Sequence, residues 1–210
     1  MEEASIEKIC NTYSVIIVDL DDTLTLGTSM EEFLKFHIQR RYGCIGILKI
    51  RFANMILKFL KALKIHRDTI IKVYANFLLL GERFRDLQYS ALLYLYAVIK
   101  ERKIRIDLFK VLVKCRENGK TIILATSNID LIANTISKYI GFHHVISSKI
   151  LCNVMCKLKQ RINGMEKMYR LIKLLRIIKP SSVQDIIYIT DRWSAHAEKA
   201  DMYLKNVYIV

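Results

Sequence analysis

Apolar positions along the chain follow two distinct periods. Ser14-Val-Ile-Ile-Val-Asp19 is a short β-branched run that stops at acids. An uninterrupted apolar run of this kind predicts a parallel strand buried on both faces. Lys120 to Thr126, entered through Asn118-Gly119, repeats the pattern, and Asp185 to Thr190 repeats it again and ends at Asp191. His144–Ser147 and Asn206–Val210 are shorter strand candidates. Helical spacing fills the gaps. Leu131, Ile132, Thr135, Ile136, Tyr139 and Ile140 share one face, with Ser127 or Asn128 as N-cap and Gly141 as stop. Met168 to Ile178 is similarly amphipathic, and Pro180 follows it. Strands alternating with helices imply an α/β fold with a doubly wound parallel sheet.

Residues 28–106 break this rhythm with long helical patterns and no convincing strand. One stripe runs through Ile45, Leu48, Phe52, Met55, Ile56, Phe59, Leu60 and Leu63, with Lys49, Asn54, Lys58 and Lys61 roughly opposite. Such a stripe ordinarily packs on its own core and leaves Lys in water. A basic amphipathic helix can also lie on an anionic membrane. The expected organisation is a core made of residues 1–27 and 107–210, with 28–106 as a helical insertion.

A chain of 210 residues, 52% apolar, is long enough to bury a real core. One Pro and seven Gly argue against a long low-complexity tract. The formal net charge of +14 is unevenly spread. Phe33 to Arg67 holds nine Lys/Arg and no acid, and Lys157 to Lys179 holds eight with only Glu166 against them. That field attracts anions: phosphorylated small molecules, lipid phosphates, an anionic membrane surface or nucleic acid. No recognised nucleic-acid-binding motif accompanies the charge, so nucleic acid is the weakest of these. The five cysteines are odd in number, and the spacing of Cys152 and Cys156 is not the usual zinc spacing. The expectation is buried free thiols in a reducing compartment. The acidic start MEEASIEKIC lacks the character of a secretory leader, and the longest apolar candidate, Gln88 to Ile99, is too short to span a bilayer. A cytoplasmic protein, peripheral to the membrane if the basic helix contacts lipid, is expected.

The acids carry the chemistry. Asp19, Asp21 and Asp22 follow a buried strand directly, in VDLDDTLT. Three carboxylates so close repel one another unless they are solvated or bound to metal. A second strand ends at Thr126-Ser127-Asn128 and a third at Asp191. In open parallel sheets the carboxyl ends of strands form the binding crevice, so these groups can converge there.

These residues resemble the motifs of the haloacid dehalogenase (HAD) superfamily. Asp19-Leu-Asp21-Asp22-Thr23 matches the first, DxDx(T/V). Thr126 matches the second, Lys167 in Gly164-Met-Glu-Lys looks like the third, and Asp191 looks like the leading acid of the fourth. The insertion resembles a type 1 cap. Thr28 to Phe36, with Gly119 to Asn128, looks like the phosphoserine-phosphatase-like branch, subfamily IB. The resemblance runs from about Val15 to Val210 and implies a HAD-like, Rossmann-like parallel sheet with helices on both faces and an all-helical cap. It also implies a Mg²⁺-dependent phosphatase acting through an aspartyl-phosphate. Asp19 would be the nucleophile and Asp21 the acid–base, with Thr126 and Lys167 binding phosphate. Asp19, Asp191 and the carbonyl of Asp21 would hold Mg²⁺. Three positions depart from the pattern: Asp22 and Thr190 stand where Gly is commoner, and Ala195 stands where a second fourth-motif acid is common. The alternatives are a catalytically weak HAD-like domain that binds a phosphorylated or membrane partner, and a basic nucleic-acid-binding module.

Overall fold

The computed structural model describes residues 3–27, 30–153, 155–162, 164–191 and 206–209. In chain order the elements are α1 (Glu3–Thr12), β1 (Val15–Val18), α2 (Met30–Ala62), α3 (Arg67–Leu79), α4 (Phe84–Lys100) and α5 (Ile106–Glu117). They continue with β2 (Thr121–Ile129), α6 (Asp130–Ile140), β3 (His144–Cys152), β4 (Cys156–Gln160), α7 (Gly164–Ile178), β5 (Ile186–Thr190) and β6 (Val207–Ile209). The sheet runs β4-β3-β2-β1-β5-β6. All neighbours are parallel except β3 and β4.

The central strand β1 explains its own composition. Ile16 and Val18 face one apolar cluster, shared with Leu108, Leu112, Ile132 and Ile136 of α5 and α6. Val15 and Ile17 face a second, shared with Met168 and Leu171 of α7. Because both faces are covered by helices, every position of the strand is apolar rather than every other one.

The sheet departs from a wholly parallel one at its edge. β4, unmarked in the sequence because its pattern is short and basic, pairs antiparallel with β3, which runs on to Cys152. The expected cap of α6 is also corrected. β2 continues through Ser127 and Asn128 to Ile129, and the helix begins at Asp130 with no capping side chain. Its end is as expected: Gly141 is left-handed, a conformation that costs glycine little.

The free-thiol expectation fails for four of the five cysteines. Cys10 is bonded to Cys115, because α1 packs on α5, and Cys152 to Cys156, because they are partners across the β3–β4 hairpin. Cys44 is free and exposed.

Helices α2, α3 and α4 form the cap. α2 breaks at Gly43, whose φ of 53° and ψ of −125° are not helical. A side chain at Gly46 would strike the Ile38 carbonyl, so the two halves meet closely there. Among the described residues no helix is long and apolar enough to cross a membrane. Most of the stripe expected to pack inward does not: Gly46, Ile50 and Ala53 make the inward face, Ile56 and Leu60 are half-buried, and Ile45, Leu48, Phe52, Met55, Phe59 and Leu63 are exposed.

Candidate active site

The turn after β1 is built to present its acids. The Leu20 carbonyl accepts from the backbone N–H groups of Leu24 and Thr25 and from the Thr25 hydroxyl, which folds residues 20–25 into a tight loop. Asp22 sits at φ 58° in that loop, the left-handed region where Asp is tolerated and Gly is easiest. This accounts for the glycine preference at the position. The Asp22 carboxylate accepts from the Gly27 N–H, and Arg105 donates to the Asp22 carbonyl. Thr25 also bridges antiparallel to Ile104, which ties the entry and exit of the cap together.

Asp19 lies at the carboxyl end of β1. Its Oδ1 accepts from the Leu20 N–H at 2.8 Å and its Oδ2 from Lys167 Nζ at 2.7 Å. Lys167 stands in the first turn of α7 and is 5% exposed. Burial works to lower its pKa, but the negative charge of Asp19, with contributions from Tyr188, outweighs burial and holds the ammonium above the ordinary lysine value. The charge of a buried lysine is kept here by its partner.

Two residues at this centre have partners that the sequence does not reveal. Tyr188, inside β5, places its hydroxyl 3.5 Å from Asp19 Oδ2. Burial first, then the charge of Asp19, push that hydroxyl up to about 12, so it remains a donor at neutral pH. The sequence marks Asn128 as a strand end or a helix cap and does not show what it meets. Its Nδ2 donates to Asp21 Oδ1 at 2.8 Å, its own N–H donates to Thr126 Oγ1 at 3.0 Å, and its Oδ1 accepts from the Ile129 N–H. One side chain therefore links the end of β2 to the loop after β1. Alternation within a strand hides both residues, because it says which face a side chain takes and not what it meets there.

Thr126 is buried at the same strand end. Asp191 follows β5, next to β1 in the sheet, and its Oδ1 lies 3.5 Å from the Thr23 hydroxyl. The structure thus gathers Asp19, Asp21, Thr126, Lys167 and Asp191 at the carboxyl edge of β1, β2 and β5. Ala195, and the later acids Glu198 and Asp201, lie outside the described residues. Asp19, Asp191 and the Asp21 carbonyl offer hard oxygen donors on neighbouring strand ends, which suits a cation that keeps much of its water, as Mg²⁺ does. No cluster of three or more His, Cys, Asp or Glu side chains able to hold a metal occurs among the described residues. The donor set described needs only two carboxylates and a carbonyl.

Above the acids a cleft of about 300 Å³ opens between cap and core, lined by Asp21, Leu57, Arg67, Tyr74, Asn128 and Arg161 among others. The Tyr74 hydroxyl is buried there without a hydrogen-bond partner. Burial, and then the nearby charge of Arg67, lower the pKa of Arg161, which is paired with Asp68.

Known proteins share this fold. The family model for haloacid dehalogenase-like hydrolases matches residues 16–194. A protein of unknown function from Bordetella pertussis Tohama I superposes with a TM-score of 0.68 at 16% identity, over 95% of this chain and 99% of that one. A substrate-bound phosphoserine phosphatase gives 0.61 at 13% identity, over 93% of this chain and 84% of that one. A phospho-aspartyl intermediate analogue of phosphoserine phosphatase gives 0.59 at 13%, over 93% and 85%. At these identities the likeness establishes the fold, a parallel-dominated HAD-like sheet with a helical cap. No curated protein matches the sequence at a significant level.

Proposed function

Since the chain belongs to the haloacid dehalogenase-like hydrolase family, we propose that it hydrolyses a small phosphomonoester with Mg²⁺, through an aspartyl-phosphate on Asp19. The observation that carries this reading is the buried Lys167 ammonium held 2.7 Å from Asp19 at the end of the central strand. A cation fixed there offsets the repulsion between a carboxylate nucleophile and a phosphate dianion.

In the first half-reaction an Asp19 oxygen attacks phosphorus, the ester P–O bond breaks, and Asp21 gives its proton to the leaving oxygen. In the second, Asp21 takes a proton from water, the water oxygen attacks phosphorus, and the acyl-phosphate P–O bond breaks. That step releases phosphate and regenerates Asp19. Thr126 and Lys167 bind phosphate oxygens. When bound by Asp19, Asp191 and the Asp21 carbonyl, Mg²⁺ supplies positive charge against the phosphoryl group. Arg67 and Arg161 bring positive charge to a cleft that also holds Asp21 and Glu31, and the unpartnered Tyr74 hydroxyl offers a donor to an anionic substrate.

The test is a screen of phosphomonoesters with and without Mg²⁺, run beside Asp19→Asn. The expected result is Mg²⁺-dependent phosphate release that Asp19→Asn lowers by roughly 10³-fold or more with the fold intact. Comparable turnover by wild type and Asp19→Asn rejects the nucleophile assignment. No turnover of any substrate by folded wild-type protein, with phosphate still bound, favours the catalytically weak binding domain.

A further inference from the structure

The second half of α2 has two apolar faces, one buried and the other exposed apart from the contact of Phe52 with Phe77. Gly46, Ile50 and Ala53 are buried against the cap. Ile45 (72%), Leu48 (63%), Phe52 (51%), Met55 (56%), Phe59 (63%) and Leu63 (57%) are exposed. Their spacing of three and four residues sets them in one line, about 20 Å long from Ile45 to Phe59 at the rise of an α-helix. Single exposed apolar residues are ordinary on a protein surface, but a contiguous line of large ones marks a surface that meets something.

The charge beside the line identifies the occupant. Arg51, three residues from Leu48 and four from Met55, flanks the line, Lys58, Lys61 and Lys64 are exposed around the rest of the same segment, and no acid occurs from Phe33 to Arg67. Lys49, the remaining cation of this segment, is turned inward onto the carbonyls of Leu78 and Leu80. A second copy of the chain docking by the same face would bring these cations against their own counterparts, which Coulomb repulsion opposes. An anionic lipid surface accepts both features, since acyl chains take the apolar line and headgroups take the cations.

We propose that α2 docks this protein on anionic membranes, lying in the interface with Ile45, Leu48, Phe52, Met55, Phe59 and Leu63 inserted, Arg51 at the headgroups, and Lys58, Lys61 and Lys64 adding attraction to the anionic surface. This goes beyond the phosphatase reading and stands apart from it, because its test measures lipid binding and not turnover.

The experiment is co-sedimentation of the full chain with vesicles of phosphatidylcholine alone or mixed with phosphatidylserine. Binding to the mixed vesicles, weakened by added salt, is expected. Phe52→Ser with Phe59→Ser should lower it about ten-fold or more. Lys58→Glu with Lys61→Glu should lower it by roughly five-fold per position or more. Circular dichroism checks the fold of each variant. If the Phe pair is disturbed, Leu48→Gln with Met55→Gln reads the same face. Absence of binding to mixed vesicles overturns the proposal. So does binding that is indifferent to the Phe or Leu48/Met55 changes, or a concentration-dependent dimer abolished by those changes in a protein that ignores vesicles.

Discussion

Lys167 Nζ lies 2.7 Å from Asp19 Oδ2, although the two residues are 148 positions apart in the chain. The contact exists because β1 ends where the first turn of α7 begins on the same face of the sheet, with Ile17, Met168 and Leu171 packing beneath it. Apolar periodicity in two unremarkable segments thus aims an ammonium at a carboxylate.

Loss of that ammonium should show in turnover rather than in substrate affinity alone. Lys167→Met is expected to lower kcat by roughly 10²–10³-fold, the scale for removing one oriented charge from a developing oxyanion. Lys167→Arg should recover only part of it, because the guanidinium is bulkier and the site is closed. Steady-state kinetics decide, and an unchanged kcat in Lys167→Met would remove the residue from the chemistry.

The same pair makes a prediction about pH. The folded pKa of Lys167 is raised above its unfolded value, so its contribution is fully present below about 10.4, the ordinary lysine value. It is lost only as pH rises through the higher folded value. Initial rates and unfolding free energies should therefore show no lysine-type alkaline limb up to about pH 10. A limb near neutrality that disappears in Lys167→Arg would contradict this.

Asn128 is a positioning residue, since it holds Asp21 by its amide and Thr126 by its backbone N–H. Asn128→Ala should lower kcat about ten-fold with little change in KM, the cost of releasing one oriented hydrogen bond. Asn128→Asp should be worse and should shift the pH–rate profile. A new carboxylate beside Asp21 raises the pKa of the pair and moves the basic form of Asp21 to higher pH. Matching profiles for Asn128→Asp and wild type would show that the contact is incidental.

The sequence announces the fold where burial is two-sided and hides it where it is not. β1, β2 and β5 are legible because central parallel strands are apolar throughout, and Gly141 because a left-handed stop favours glycine. β4 is missed because an edge hairpin in CKLKQ carries little apolar signal. The first motif marks Asp19 and Asp21 by crowding charge at a strand end, which few structural needs explain. Asn128 and Tyr188 are silent because their roles depend on partners from distant segments. The stripe from Ile45 to Leu63 misleads in the opposite sense. Its spacing says helix correctly, but spacing alone does not say which of two apolar faces turns inward.

The cap has its own buried polar centre, which gives a stability prediction. Glu82 accepts from His37 Nε2 at 2.9 Å and pairs with Lys49 and Arg41, while His37 Nδ1 meets Ser90 Oγ at 2.7 Å. Burial acts to raise the Glu82 pKa, but the hydrogen bond and charge of His37, with Tyr42 and Lys49, hold it below the ordinary value. A depressed carboxylate contributes stability above its unfolded pKa and loses it as pH falls through the folded value. Stability should therefore decline below about pH 4, and Glu82→Gln should flatten that decline. The substitution should also cost about 3 kcal/mol at neutral pH, because it removes the buried negative charge that the partly buried Lys49 and Arg41 pair with. Urea unfolding at neutral and acid pH measures both effects, and an unaltered acid slope in Glu82→Gln would place the titration elsewhere.

The last prediction concerns the metal and rests on Ala195, which lies outside the described residues. The first motif supplies Asp19 and the fourth supplies Asp191. Ala195 stands where a further acid is common in the family that the chain resembles. Mg²⁺ needs few protein ligands because it retains waters, so two carboxylates and a carbonyl suffice to hold it. One fewer negative charge nearby still weakens the attraction. Phosphate release is therefore expected to require Mg²⁺, to stop when the metal is chelated, and to have a high half-saturating concentration. Ala195→Asp should lower that concentration by roughly ten-fold, the effect of one added charge at short range in a partly screened site. The measurement is a Mg²⁺ titration of initial rate for both proteins, with circular dichroism to confirm the fold. A midpoint that is unchanged or raised in folded Ala195→Asp means that residue 195 does not face the metal and that the register of the fourth motif is different. Rates that ignore Mg²⁺ in both proteins would remove the metal from the reaction and, with it, the assignment of Asp191 as a ligand.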